Sequence, residues 1–344
     1  MLNSGLSRRG LLKAGAAAAG ALALPTIVSG RLFAAGGTRT INMQLGWLGG
    51  GNQLGEVAAK HLGYFEEEKL DFAIQPGGPN IDGVAIVASG RYEIGQVSSS
   101  PSLMLAASQG IPVKSFAVSV QEHPYAFFSL GSKPVKTPKD MVGKKIGIQA
   151  TGKVLLSALL RKHGIPESDV EVVVVGADMT PLVSGQVDAV TGWLTNTTAI
   201  AVLGEDRVAM KLWDNGVQLY ANPYYATASM IEGEPEVMAG FLRAAAKGWE
   251  YAYNNREAAV DLLLKDYPNL VKADELKAAD VLLEHMFTEA TARNGWGTFD
   301  PAIWQAQITL YDDLKQFSAG APKLEDVVSP AILDATAAVR PKIG

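Results

Sequence analysis

The segment Asp188-Ala189-Val190-Thr191-Gly192-Trp193-Leu194-Thr195-Asn196 carries an indole, a hydroxyl and a carboxamide at the end of an apolar run that reads as a strand. Trp193 offers a stacking face there, and Thr195 and Asn196 offer orienting hydrogen bonds. Trp47 offers a second ring, just past the strand expected over 41–45 and next to Gly49-Gly50-Gly51. Those glycines permit close backbone approach but lack the lysine and serine or threonine of a phosphate-binding loop. Asn52 follows them, suited to capping the next helix or to touching a solute. Ser98-Ser99-Ser100 precede Pro101 in the pattern of a helix start with proline at its first position, and the hydroxyls of Ser98 and Ser99 are candidates for ligand contact.

The remaining candidates also lie in loops that follow strands or at chain crossings: Gly78, Asn80, Glu122, His123, Thr151, Asp178 and Tyr224. Glu122 and His123 precede Pro124, which favours extended backbone and suits a crossing between two halves. Thr151 opens a helix, and Asp178 begins another that it can simply cap. Asn222-Pro223-Tyr224-Tyr225 reads as the return crossing, with a tyrosine available to cover a cleft. Across these loops there are one lysine, no arginine and two carboxylates. A buried ion must be compensated, so this balance disfavours a strongly anionic solute and favours a neutral or weakly basic ring.

The chain contains no cysteine, which removes disulfides, thiolate metal sites and cysteine nucleophiles. Its histidines His61, His123, His163 and His285 are not at zinc-ligand spacing, so no metal or cofactor is expected. His61 and His163 sit at expected helix ends, where an imidazole suits the helix dipole. No catalytic constellation stands out, and an enzyme is not expected. A net charge of −5 without a basic stripe argues against nucleic acid.

The elements that position these loops are expected to come in two similar α/β units. One has strands over 41–45 and 72–75 around a helix over 52–61. The other has strands over 145–149 and 170–175 around a helix over 154–163, with the continuous apolar run at 170–175 reading as a buried parallel strand. Gly90 and Gly185 are expected as left-handed helix caps in matching phrases, Ser89-Gly90-Arg91-Tyr92-Glu93-Ile94-Gly95 and Ser184-Gly185-Gln186-Val187-Asp188-Ala189-Val190. Four helices follow, over 235–253, 256–267, 274–291 and 301–317, and are expected to complete the first unit with Trp249 and Trp304 in its core. Residues 38–124 together with 224–344 thus form one expected lobe and 125–223 the other. Residues 1–36 carry Arg8-Arg9 before a weakly apolar run, the pattern of a twin-arginine export signal that passes folded proteins to the twin-arginine translocase.

The phrases Gly63-Tyr64-Phe65, Leu70-Asp71-Phe72, Gly77-Gly78, Met141-Val142-Gly143-Lys144-Lys145-Ile146-Gly147 and Gly185-Gln186-Val187-Asp188-Ala189 resemble the NMT1/THI5-like branch of periplasmic substrate-binding proteins. The resemblance spans about residues 40–320. It implies a two-lobed α/β periplasmic binding protein fold (type II) with a ligand cleft between the lobes and extra C-terminal helices. It further implies a monomeric periplasmic receptor that delivers a small molecule to the permease and ATPase of an ABC importer. Members of the branch bind thiamine-pyrimidine precursors, riboflavin, aliphatic sulfonates, taurine or nitrate, and the segment 188–196 is closest to the pyrimidine and riboflavin members. Fungal THI5 relatives make the pyrimidine instead, using a cysteine-rich iron site that this chain lacks. Closure by hinge motion near 122–126 and 221–225 is the expected mechanism.

Overall fold

In the computed structural model, which describes residues 37–344 except Pro79, two five-stranded sheets follow from two sets of apolar runs. The first sheet contains Arg39–Leu45 (β1), Leu70–Gln75 (β2), Ile94–Gln96 (β3) and Val113–Val120 (β4). The second contains Tyr125–Ser129 (β5), Lys145–Ile148 (β6), Glu171–Val174 (β7), Ala189–Trp193 (β8) and Val208–Lys211 (β9); Ala221–Thr227 (β10) then returns to the first. Their orders are β2-β1-β3-β10-β4 and β7-β6-β8-β5-β9. In each sheet three parallel strands are continued by a strand that runs antiparallel to them, β10 in the first and β5 in the second. The faint internal echo in the sequence is this shared arrangement, and the fold is a two-lobed α/β architecture.

The helices cover these sheets. In the first half they are Leu54–His61 (α1), Tyr64–Glu67 (α2), Gly83–Ala88 (α3) and Pro101–Ser108 (α4). Lys153–Lys162 (α5), Thr180–Val183 (α6) and Thr197–Ala201 (α7) accompany the second sheet. Then come Ala228–Gly233 (α8), Pro235–Asn254 (α9), Arg256–Asp266 (α10), Lys272–Met286 (α11), Glu289–Asn294 (α12) and Pro301–Asp313 (α13). The amphipathic α9 packs on α1 and α2, so closely that a side chain at Gly248 would meet the carbonyl of Gly55. Trp249, Trp296 and Trp304 are fully buried in the core around the first sheet. Gly90 and Gly185 adopt the left-handed conformation expected of helix caps.

Three expectations change. The run 170–175 is not a buried strand: β7 is the sheet edge, paired only with β6, and Val172 and Val174 are exposed on one face while Val173 and Val175 pack against an apolar cluster on the other. The helix expected over 274–291 breaks at Phe287 and Thr288, where Thr288 caps α12 with its side chain. Asn222–Tyr225 lie inside β10 rather than at a crossing; the return runs earlier, between β9 and β10. Residues 1–36, where the export leader is expected, lie outside the described residues.

Candidate functional site

Two helices aim their first turns at one gap. Ser100 and Pro101 start α4 from the first lobe, and Gly152 and Lys153 start α5 from the second. Such ends turn partial positive charge toward the gap, while their first N–H groups are already bonded, Ser100 N to Tyr220 O, Leu103 N to Ser100 O and Gly152 N to Gln149 O. Between them lies a cavity of about 840 Å³. Its floor is the pair of crossing segments, represented by His123 and Leu219, and its far side is the end of α13 around Tyr311 and Leu314.

The ring wall is built by β5 and β8. Tyr125 and Trp193 face each other across that antiparallel pair, and both line the cavity. The half-buried Trp193 stands 4.6 Å from the His123 ring, at 59°, and packs against the apolar clusters of both lobes. The Tyr125 hydroxyl lies 2.5 Å from where a side chain on residue 152 would begin, so any such side chain would push that ring aside. Burial raises the Tyr125 hydroxyl above its ordinary value.

His123 is buried, and its Nε2 lies 2.6 Å from Ser99 Oγ. Desolvation, then repulsion from His285, pushes the imidazole down to about 3, so it is neutral at physiological pH. Its Nδ1 has no partner among the described residues. Lys153, exposed, and Glu167 also line the gap, which places one charge of each sign there.

Of the residues expected from sequence, Ser99, His123 and Trp193 come together at this cavity. Thr151 lies in the short turn Ala150–Gly152 that leads into α5, but its side chain is outside what the structure describes. Asn52, Thr195 and Asn196 meet at a separate gap of about 130 Å³, against Glu275 of α11. Ser98 is half-buried, and its carbonyl accepts from Asn222 N at 3.2 Å. Glu122 points to the reverse side of the floor, where burial raises its carboxyl.

The others are elsewhere. Trp47 is 52 % exposed and does not line the cavity, because the loop after β1 turns it outward beside exposed Leu48. Gly78 is buried and Asn80 exposed, both away from the cavity. Asp178 is exposed and accepts from Thr180 N at 2.9 Å; bonds from Thr180 hold its carboxyl below the usual range. Tyr224 covers no cleft: it is fully buried in the core, donating its hydroxyl proton to Glu56. Gly49 and Gly51 make room for Tyr267, just after α10, and for Glu275 of α11. Ser100 does not cap α4 with its hydroxyl, which instead donates to Gln307 Oε1 at 2.6 Å.

Sequence reasoning missed Glu56, a fully buried carboxyl on α1. Gln96 Nε2 donates to it at 3.1 Å, and Gln53 Nε2 donates in turn to Gln96 Oε1 at 2.8 Å. Gln53 Oε1 accepts from Gly50 N at 3.0 Å, so the chain of bonds runs from the glycine loop to the core. Burial pushes Glu56 up to about 7, against the opposing effect of the Tyr224 hydrogen bond.

A family model described as NMT1/THI5 like matches residues 51–259, and the chain belongs to that family. It is 28 % identical over 284 residues to the formylaminopyrimidine-binding protein of Halalkalibacterium halodurans, covering 79 % of this chain and 84 % of that one. A 4-amino-5-hydroxymethyl-2-methylpyrimidine phosphate synthase of Legionella pneumophila is 27 % identical over 62 % of this chain and 69 % of its own. Among solved structures, the periplasmic aliphatic sulphonate binding protein SsuA of Escherichia coli superposes with a TM-score of 0.66 at 17 % identity, covering 86 % of this chain and 99 % of that chain. That likeness is one of fold.

Proposed function

We propose that the protein is a receptor that captures a small, uncharged heteroaromatic solute, of the aminopyrimidine kind, and hands it to an ABC importer. The observation that carries this reading is the gap between the lobes, walled by Trp193 and a neutral His123 and flanked by two helix starts. A flat ring gains most of its affinity from an apolar stacking face, and a few directed polar groups fix its orientation. His123 carries no charge to demand an anion, and its Nδ1 is short of a partner. The relative named for formylaminopyrimidine binding, matched over most of both chains, supports the same ligand class. Closure around the solute stabilises one lobe arrangement by its differential contacts, which is the form a transporter would read.

We take residues 1–36 as a twin-arginine leader that delivers the folded receptor to the periplasm. Replacing Arg8 and Arg9 by lysine should leave the protein in the cytoplasmic fraction; unchanged export would remove this part of the reading. No helix among the described residues is long and apolar enough to cross a membrane.

A second reading has its own observation. The two helix starts and Lys153 at the same gap would suit the anionic head of a sulfonate. Thermal-shift measurements with a formylaminopyrimidine, riboflavin, taurine and an alkanesulfonate separate the two. Stabilisation by the pyrimidine and not by the sulfonates is expected, and the reverse pattern would replace the ring reading with the anion reading. The synthase relative makes turnover a necessary control in any such assay.

A further inference from the structure

The helix α4 borders two volumes. Pro101, Ser102 and Leu105 line the cleft, and Ser102 and Leu105 also line a side chamber of about 310 Å³, together with Ala106 and Gln109. Spacings of three and four residues place this set on one stripe of the helix. The chamber thus adjoins the cleft along α4. Its opposite wall is the start of α3, and its base lies where β1 and β3 end, at Gly46 and Val97. The carboxyl ends of parallel strands are where solutes bind in such sheets.

The chamber is apolar in its depth and polar at its mouth. Val97 and Ala106 are buried and Val84, Leu105 and Ile111 half-buried, whereas Asp82, Ser102 and Gln109 are exposed. Asp82 is the only charged side chain among the described residues that line it, and its Oδ1 accepts from Ala85 N at 3.0 Å to cap α3. Large apolar side chains stand in water beside the mouth. Ile81 is 43 % exposed and Leu48 62 %, and each lies 3.9 Å from where a side chain on Gly78 would begin. The volume is about ten times a water molecule's share of the liquid, which suits a short chain.

We propose that this chamber takes an uncharged apolar arm of the solute, so that the ligand is a heteroaromatic ring with a short alkyl substituent on the edge turned to α4. Each methylene buried there adds about fourfold in affinity that a bare ring lacks. The negative charge of Asp82 at the mouth opposes an arm that ends in a carboxylate or sulfonate. The placing of the ring in the cleft rests on the receptor reading above; the chamber's preference for apolar groups does not.

Equilibrium binding of a formylaminopyrimidine, its propyl derivative and its carboxyethyl derivative is measured on wild type, Ala106→Phe and Val84→Phe. The first variant fills the chamber from its base and the second from the α3 wall, so either one decides if the other fails to fold. The propyl compound is expected to bind wild type about tenfold tighter than the bare ring, and the carboxyethyl compound no tighter than it. Both variants should abolish the propyl gain while binding the bare ring as wild type does. No propyl gain, a gain that survives in a folded variant, or tightest binding of the carboxyethyl compound overturns the proposal. A second measurement leaves the ring out: n-butanol is titrated into solute-free protein with isotope-labelled methyl groups. Shifts centred on the methyls of Val84, Val97, Leu105 and Ile111 are expected, and their absence overturns the proposal. If the bare ring and its derivatives all fail to bind, the ring reading falls and the butanol result alone decides the chamber.

Discussion

Trp193 and Trp249 show why two tryptophans of one chain answer to different measurements. Trp249 is fully enclosed between α9, α1 and the core tyrosines, so its truncation should cost about 3–5 kcal/mol of stability, as large core deletions do. Trp193 is half-buried at the cleft and touches both lobes. Trp193→Ala should weaken solute binding more than tenfold, about 1.4 kcal/mol or more, while shifting the melting temperature of the solute-free protein far less than Trp249→Ala does. Equal losses of unliganded stability in the two variants would make Trp193 a core residue. Sequence put the Trp193 ring at a strand end beside polar residues, and the ring lines the cleft. It misplaced Trp47 and Tyr224 for opposite reasons. The loop after β1 turns its ring to solvent, while β10 draws Tyr224 into the sheet centre, and neither outcome is written in nearby residues.

At the scale of elements, α1 is held to β3 and β10 by a carboxyl that no local pattern advertises. Glu56 reads in the sequence as an ordinary acidic residue in a first helical turn, yet it is fully buried between Gln96, Tyr224 and the tryptophan of α9. Its value rises from 4.5 to about 7 on folding, so the folded state binds the proton more tightly than the unfolded one. The resulting stabilisation is complete below 4.5 and is lost as pH rises through 7, a change of about 3 kcal/mol. Melting temperatures should therefore fall between pH 5 and pH 8 in wild type. Glu56→Gln, which keeps the hydrogen-bonding shape without the charge, should flatten that part of the slope. An equal slope in both proteins would show that Glu56 does not take up this proton. Strand and helix positions were largely legible because period and caps are local, as at Gly90 and Gly185. Sheet order was not. The edge position of β7 depends on which strand the second lobe leaves unpaired, and its valines look identical to those of a buried strand.

Over the whole molecule, the repeated sheet order explains how one chain makes two opposed walls. Each sheet places its loops and helix starts at the carboxyl ends of parallel strands, where solutes bind in such architectures. The two-lobed fold was visible in the sequence through paired motifs, but the cleft was only partly so. Its far side is the end of α13, 84 residues beyond β10 at Tyr311, which gave no local sign of facing a gap. A receptor with this gap holds a ring compound and releases it chemically unaltered. Equilibrium dialysis of the protein against a formylaminopyrimidine, with mass spectrometry of the recovered solute, tests it most directly. One solute bound per chain and returned intact is the predicted result; no retention, or recovery of a converted product, would contradict the account.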